Sequence, residues 1–384
     1  MQIQKNNLIK ESIQKKIRFL KSLNTSLKFV TSSWEESRSI YQFDEAIETG
    51  NFFDGVINKR FITDYAPYPI LVSSASGLSL ISDNKVFDLL NTKTGFYVFG
   101  IAISEKRIFL SINFHFPIKS NINNLINKRI TFIVSAKISD ILMGIKGQLK
   151  TIKWEVNYSD RNKSYSYLNY YDGELFAADY LGTVDVFKFN KKGKFNLIKN
   201  NSYSLLKNKL HYPNFFYPFL HLNCVSIDKK FIYCGLHSYS KITTFKSSIY
   251  RIERNNTNNI NLEEDTNFIS AHDLMKVNND FYGCDSANGK FYKNNQCIYK
   301  SSGKVFFRGL SINQNGFVLG SSKYFKRRSK REKVNINNKI LFLDKDGKLT
   351  ESITPELASI YRIFSLNHYE LSQSYPIKID LDKY

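Results

Sequence analysis

A unit of four short strands, repeated along the chain, sets the architecture of this protein. The unit is clearest in residues 271–301, AHDLMKVNNDFYGCDSANGKFYKNNQCIYKS. Short apolar segments alternate there with Asn, Asp and Gly residues, which favour the left-handed backbone of tight hairpin turns. The predicted strands are 272–277, 281–285, 290–293 and 297–300. Four antiparallel strands in a segment of this length are typical of one blade of a β-propeller.

The same spacing recurs in five units. In each, an apolar residue of the first strand precedes the start of the second strand by the same separation, in the pairs Ile101–Ile108, Leu168–Leu175, Cys224–Phe231, Leu274–Phe281 and Leu310–Phe317. A further unit at 69–96 lacks an innermost strand, and residues 360–365 have the composition to supply it. Propellers remove exposed strand edges when one terminus completes a blade begun by the other. We therefore predict an all-β, six-bladed β-propeller closed by a C-terminal strand that completes the first blade, or seven blades if residues 27–54 build another.

The propeller accounts for most of the chain. Residues 61–384 are predicted to form a single propeller domain, with an insertion at about 116–160 that contains an apolar stretch. Residues 1–60 are predicted to be an N-terminal extension. Apolar residues at helical spacing within 8–23 indicate a basic amphipathic helix, which favours packing on the domain; peripheral contact with an anionic membrane is the alternative. No apolar run reaches the ~20 residues of a membrane span and no leader is recognisable, so we expect a cytoplasmic protein.

The charge balance is strongly basic, with 55 Lys and Arg residues against 34 Asp and Glu residues and a formal net charge of +21. Such a balance fits an anionic partner, whether nucleic acid, anionic lipid or a phosphorylated ligand. The alternative is a general bias toward Lys, Asn, Ile, Phe and Tyr. Because the Lys residues are scattered along strands and turns, nucleic acid is the weaker expectation. The cysteines show no CxxC spacing, which argues against a thiolate zinc site and favours reduced thiols, at Cys224, Cys234, Cys284 and Cys297.

Polar side chains occur at positions that a propeller brings to one face. The starts of the innermost strands and the loops between second and third strands both surround one mouth of the central channel, where ligand sites gather. The strand starts carry Ser166, Tyr167, His221, Asn223, His272, Asp273 and Arg308. The loops carry Asp179, His237, Asp285, Ser286, Asn288 and Lys323. The sequence therefore predicts a ligand site at this mouth.

Three kinds of chemistry are open to these residues. His221 or His272 can act as a general base oriented by Asp273 or Asp285, with Arg308 as a further catalytic group. His221, His272 and Asp285 can instead bind one divalent metal ion that activates water or polarises a carbonyl. The structural alternative is a histidine bonded to the backbone of a neighbouring blade, with the second-strand aspartates tying turns. No Gly-rich phosphate loop, nucleophile elbow or HExxH motif supports another enzyme class.

A strongly basic loop at 323–333, KYFKRRSKREK, is predicted to lie over the same mouth. Its Lys323, Arg327 and Arg328 side chains can bind a phosphate, sulfate or carboxylate through charge-assisted hydrogen bonds. The alternative is a run of charges that faces only solvent.

Short segments of the repeat carry a resemblance to a known family. They are His221-Leu-Asn, Ala271-His-Asp, Cys284-Asp-Ser-Ala-Asn-Gly, Phe307-Arg-Gly-Leu and Gly320-Ser-Ser-Lys. On these segments the chain, over about 69–368, resembles an uncharacterised bacterial β-propeller family of conserved hypothetical proteins. It is more distantly similar to NHL-repeat, gluconolactonase and strictosidine-synthase propellers. The resemblance implies the fold and no activity, since the glutamate-led metal set of the lactonases is not recognisable.

Two functional hypotheses follow. The first is an enzyme or ligand-binding propeller that acts on an anionic polar metabolite, a carbohydrate derivative being one candidate, at the channel mouth. The second is a non-catalytic scaffold whose basic face binds a protein partner or an anionic polymer. Steep weakening of binding with salt is the property that separates a polymer partner from a small ligand.

Overall fold

The computed structural model describes residues 53–92, 96–115, 129–160, 163–189, 197–205, 222–236, 247–266, 271–323 and 338–366. Within these ranges the chain forms six antiparallel sheets of four strands each. The innermost strands of successive sheets contact one another in a closed cycle, which makes the fold a six-bladed β-propeller. The predicted all-β class and the blade number are therefore confirmed. The helix predicted within residues 8–23 lies outside the described residues.

Blade 1 is built from the two ends of the described chain. From its outer edge to the channel, its strands are β1 (Phe53–Asp54), β3 (Gly77–Thr92), β2 (Asn58–Ser74) and β24 (Ile360–Ser365). Strand β24 pairs antiparallel with the end of β2, with Ile363 opposite Val72. The C-terminal strand thus completes the first blade, as the unit without an innermost strand predicted.

Blades 2 and 3 follow along the chain. Blade 2 contains β4 (Phe96–Ile103), β5 (Arg107–His115), β6 (Arg129–Lys137) and β7 (Glu155–Asp160), and blade 3 contains β8 (Tyr165–Tyr171), β9 (Glu174–Asp179), β10 (Thr183–Phe189) and β11 (Leu197–Ser204). Residues 129–160, predicted to belong to an insertion, therefore supply the two outer strands of blade 2. A short helix, α1 (Ile138–Ile145), separates these strands and buries Ile141 and Leu142 in the core shared by blades 1 and 2. This helix obscures the strand spacing of the repeat in the sequence.

Blades 4, 5 and 6 have the plain four-strand form. Blade 4 contains β12 (Leu222–Ile227), β13 (Phe231–Leu236), β14 (Ser248–Glu253) and β15 (Asn256–Asp265). Blade 5 contains β16 (Ala271–Val277), β17 (Asp280–Asp285), β18 (Lys290–Lys293) and β19 (Gln296–Lys300), with a 3₁₀ turn (Ser286–Asn288) after β17. Blade 6 contains β20 (Val305–Asn313), β21 (Gly316–Lys323), β22 (Lys339–Leu343) and β23 (Leu349–Ile353).

The blades pack against each other through apolar side chains on both faces of their inner strands. All of β12 is buried, because its sheet lies between two neighbouring sheets. The outermost strands are less buried, and every residue of β19 is exposed or half-buried. The described part of the chain contains no helix long and apolar enough to cross a membrane.

The repeat alignment of the fourth unit differs from the prediction by one residue. Across the first hairpin of blade 4, Ile227 pairs with Ile232. The equivalent pair in blade 2 is Ile103 with Ile108. Ile232 rather than Phe231 therefore corresponds to Ile108, and the predicted alignment of this unit is wrong by one residue.

A β-bulge interrupts each innermost strand near its start. The register shifts after Val98, Tyr165, Leu222, His272 and Phe307 in blades 2 to 6, and between Ile360 and Arg362 in blade 1. A bulge adds one residue to one strand and changes the direction of its side chain. The six bulges place a set of equivalent side chains at one end of the channel.

Candidate functional site

The side chains at the bulges line one cavity at the channel mouth. Each blade contributes one of them, in order around the ring Tyr361, Phe99, Ser166, Asn223, His272 and Arg308. Tyr167, Tyr180 and Asp273 complete the lining. The cavity has a volume of about 30 Å³, room for one or two water molecules. The structure therefore brings together Asn223, His272, Asp273 and Arg308 from three blades, as their positions at strand starts predicted.

Arg308 provides the positive charge of this cavity. Its Nη2 donates to Nε2 of His272 at 2.8 Å. Because a guanidinium group can only donate, this hydrogen bond needs a neutral imidazole with its proton on Nδ1. The Nδ1–H donates a hydrogen bond to Oγ of Ser286, which is fully buried and lies 2.8 Å away. His272 is itself buried and acts as a fixed acceptor that sets the position of the guanidinium.

Aromatic rings hold the guanidinium from the other directions. The Cζ of Arg308 lies 4.8 Å from the ring centroid of Tyr361 and 5.9 Å from that of Phe306. Phe99 packs against Tyr361 with ring centroids 4.5 Å apart. The cation therefore rests on π faces, which strengthen its attachment in a partly buried site. One wall of the cavity is consequently aromatic.

The opposite wall is polar, but its proton donors bind neighbouring blades. Oγ of Ser166 donates to the backbone carbonyl of Leu222 at 2.7 Å. Nδ2 of Asn223 donates to the backbone carbonyl of Ala271 at 2.9 Å. Each of these bonds joins the innermost strand of one blade to that of the next. Ser166 and Asn223 therefore stabilise the ring, and the strongest donor that the cavity offers an anion is Arg308.

A buried ion pair fills the channel beneath the cavity. Arg362 is 1% exposed, and its Nη1 lies 3.6 Å from Oδ1 of Asp273 and donates to the carbonyl of Leu310. Its Cζ lies 4.8 Å from the ring centroid of Tyr167. Oδ2 of Asp273 accepts from the N–H of Gly309 at 2.8 Å. Arg362 and Asp273 thus connect blades 1, 3, 5 and 6 across the axis.

Asp273 is held as a structural carboxylate. Burial raises the pKa of Asp273, while Arg362 and the N–H of Gly309 oppose that rise by favouring the charged form. Its backbone is left-handed, with φ of 55°, a conformation that Asp tolerates. Asp273 therefore contacts Arg362 and Gly309. The side chain that orients His272 is Ser286.

Other predicted ligand-binding residues lie away from this cavity. Oδ2 of Asp285 accepts from Nδ2 of Asn288 at 2.8 Å and ties the 3₁₀ turn, which matches the structural alternative. Asp179 lies 3.4 Å from Nζ of Lys163 in a separate cluster within blade 3. Lys323 is exposed at the end of β21. None of these side chains lines the cavity.

His221, His237, Arg327 and Arg328 lie outside the described residues. Among the residues that are described, no group of three or more His, Cys, Asp or Glu side chains is placed to hold a metal ion. His272 uses its acceptor nitrogen for Arg308, so the arrangement does not suit it as a ligand of the predicted divalent metal. The four cysteines are free thiols, as expected, and Cys297 alone is exposed.

Three residues of the cavity escaped the sequence analysis, namely Phe99, Tyr180 and Tyr361. A usable signal existed for Phe99, which occupies the same place before Ile101 that Ser166 occupies before Leu168 and Arg308 before Leu310. Because its side chain is apolar, however, Phe99 looks like a core residue in the sequence.

Comparisons with known proteins concern the fold only. No family model and no curated protein sequence matches this chain, so the resemblance to an uncharacterised bacterial family and to NHL-type propellers is not supported. Among solved structures, the chain is similar to the WD40 β-propeller domain of Doa1, with 14% identity, a TM-score of 0.41, and coverage of 81% of this chain and 90% of that one. It is similar to a chain of a mitotic checkpoint complex, with 8% identity, a TM-score of 0.41, and coverage of 79% and 86%. A computationally designed protein, Ika8, matches with 10% identity, a TM-score of 0.35, and coverage of 81% and 90%.

Proposed function

We propose that this propeller is a binding module that recognises a small anionic group at its channel mouth, with Arg308 as the recognising residue. The observation that supports the proposal is the attachment of Arg308 to His272 and Tyr361 inside a cavity to which every blade contributes. A cation already held in place loses little conformational freedom when an anion binds, and so binds it more tightly. The basic character of the chain favours the approach of an anion to the protein as a whole.

Recognition fits the described residues better than catalysis does. A general base needs an unprotonated nitrogen to accept the substrate proton, and the unprotonated Nε2 of His272 already accepts a hydrogen bond from Arg308. Ser286 forms a Ser–His pair with His272, but its hydroxyl is fully buried and does not line the cavity. Asp273 is engaged by Arg362 and Gly309. The metal-assisted and acid–base alternatives depend on His221 and stay predictions.

The size of the cavity limits what enters it. Pockets that enclose whole metabolites have volumes of about 300–1,000 Å³. The described residues enclose about 30 Å³, so only one small anionic group fits beside Arg308. The ligand is therefore a small anion or the anionic end of a larger molecule whose remainder lies outside the cavity. This second case includes the protein partner of the scaffold hypothesis.

The substitution Arg308→Gln tests the proposal. We expect it to weaken binding of small anions by about tenfold or more, because a hydrogen bond to a charged group contributes about 1.5–3 kcal/mol. The measurement is calorimetric titration of the folded protein with acetate, sulfate and inorganic phosphate in turn, at constant ionic strength.

The matched control is Lys345→Gln, which removes one positive charge from the exposed β22–β23 hairpin. That hairpin lies at the opposite end of the blade, since Leu343 pairs with Phe317 while Lys339 pairs with Ser321. We expect the control to bind anions like the parent protein. Equal anion affinity in the parent protein and in Arg308→Gln would show that the mouth is not the site.

A further inference from the structure

We propose that the group recognised at the mouth is a carboxylate monoanion rather than a phosphate or sulfate dianion. This inference rests on the proposed function of the site and adds the chemical class of its ligand. Three features of the cavity carry it: the net charge around it, the number of its proton donors and the aromatic nature of one wall.

Among the residues that the structure describes, the charged side chains at the cavity and directly beneath it have a net charge of one positive unit. Arg362 forms an ion pair with Asp273, and His272 is neutral because its Nε2 accepts from Arg308, so Arg308 supplies the net positive charge. One carboxylate balances this charge. A dianion leaves a negative charge uncompensated in a partly buried site, which is unfavourable.

The number of hydrogen-bond donors in the cavity also favours a carboxylate over a phosphate. A phosphate has three strong acceptor oxygens, and proteins that bind it surround it with several N–H and O–H groups. In this cavity Ser166 and one N–H of the Asn223 amide donate to neighbouring blades, and Arg308 is the charged donor among the described lining residues. A planar guanidinium group suits the two oxygens of one carboxylate, which it can bind side by side.

The aromatic wall disfavours a tetrahedral anion. The rings of Phe99 and Tyr361 line one side of the cavity. An oxygen of sulfate or phosphate turned toward these rings loses its water and gains no hydrogen bond from the ring faces, at a cost in free energy. A carboxylate instead turns its single carbon substituent toward the rings and keeps both oxygens at Arg308. A planar carboxylate and the planar guanidinium of Arg308 therefore fit together in this small cavity.

The test compares monoanions and dianions on the intact protein. At about pH 8, where phosphate is mainly a dianion, acetate and propionate are titrated against phosphate and sulfate at constant ionic strength. We expect the carboxylates to bind at least about tenfold more tightly, and Arg308→Gln to lose this binding while Lys345→Gln keeps it. Arg308-dependent binding that favours phosphate or sulfate overturns the inference and leaves the proposed function standing. No Arg308-dependent binding of any anion overturns both.

A second variant changes the charge of the site without touching Arg308. Asp273→Asn keeps an oxygen for the N–H of Gly309 and tolerates the left-handed backbone, while it adds one positive unit to the net charge. We expect the preference for acetate over sulfate to shrink by about tenfold or to reverse, because a dianion is then balanced. An unchanged ratio of the two affinities would overturn the inference, since charge balance would not select the ligand.

The carboxylate has two sources, a small organic acid or an acidic peptide, and the same titration distinguishes them. A capped hexapeptide with one central Glu is compared with its Gln counterpart and with propionate. Tighter binding of the Glu peptide than of propionate identifies a peptide, and equal or weaker binding identifies a small acid. Either result supports a carboxylate, provided that Arg308→Gln abolishes it; equal binding of the Glu and Gln peptides with no binding of propionate contradicts it.

Discussion

Replacement of Arg362 by Met is expected to lower the free energy of unfolding by about 3–5 kcal/mol, the usual cost of removing one partner of a buried ion pair. Arg362 is 1% exposed and lies 3.6 Å from the carboxylate of Asp273, which is almost as deeply buried. Met retains much of the apolar stem but leaves that carboxylate without its cation. Because Arg362 belongs to β24, which closes the ring, the loss acts where blade 1 meets blades 5 and 6. Urea-induced unfolding at neutral pH measures the effect.

A double variant separates the unpaired charge from the lost packing. Asp273→Asn removes the carboxylate that the first substitution leaves uncompensated, and keeps an oxygen for the N–H of Gly309. We expect Arg362→Met combined with Asp273→Asn to regain about 1–3 kcal/mol relative to Arg362→Met alone. If the double variant is as unstable as the single one, the arginine stabilises the channel by filling space between Tyr167 and Phe364 rather than by neutralising Asp273.

The ring and its closure could be predicted because they follow from elementary rules. A propeller with an unpaired innermost edge is unfavourable, which predicts that the strand at 360–365 joins blade 1, and β24 occupies that place. The outer half of blade 2 could not be predicted in the same way. Helix α1 stands where the other blades have a short connection between third and fourth strands, so the repeat spacing fails over 129–160. Asp83 is a left-handed residue within β3 opposite a register shift, and in sequence an aspartate at such a bulge looks like one in a turn.

The site was predictable in position and only partly in composition. Polar residues at strand starts identified Asn223, His272, Asp273 and Arg308, because the topology alone brings strand starts to one mouth. The hydrogen-bond partners were not predictable, since they depend on side-chain directions after the bulges. The sequence placed Asp285 beside His272, whereas Ser286, one residue further on, makes the contact. A single residue along a strand or turn changes the face on which a side chain lies.

Replacement of Lys163 by Met is expected to destabilise blade 3 by about 2–4 kcal/mol. Nζ of Lys163 lies 3.4 Å from a carboxylate oxygen of Asp179 and 3.4 Å from one of Asp185, and 2.7 Å from Oγ1 of Thr183. The two carboxylates are 2% and 0% exposed. One ammonium group therefore lies between two buried acids, which also accept hydrogen bonds from Ser164, Tyr165, Thr183 and Ser202. Without the ammonium group the two negative charges repel each other in a site that water hardly reaches.

A matched control exists in the same blade. Lys188 forms an ion pair with Glu174 at 3.2 Å, but its side chain is 56% exposed. Exposed pairs of this kind contribute about 0–1 kcal/mol, so Lys188→Met is expected to change the free energy of unfolding by less than about 1 kcal/mol. Similar losses of unfolding free energy in the two variants would mean that the net charge of the protein affects stability. The contact of Lys163 with the buried carboxylates would then have no special effect.

The pH dependence of the free energy of unfolding distinguishes Lys163→Met, which affects two buried carboxylates, from Lys188→Met, which affects an exposed pair. Burial raises the pKa of Asp179, and Lys163 lowers it, so loss of Lys163 raises the pKa further. A carboxyl with a higher pKa in the folded than in the unfolded protein binds a proton on folding, and its cost to stability grows as the pH rises from about 4 through the folded value. We therefore expect the stability deficit of Lys163→Met to be largest at neutral pH and to narrow on acidification toward about pH 5. The deficit of Lys188→Met should stay small across this range. Stability is measured by urea unfolding against the parent protein at each pH. A deficit of Lys163→Met that stays constant over the range would show that loss of Lys163 does not raise the pKa of Asp179.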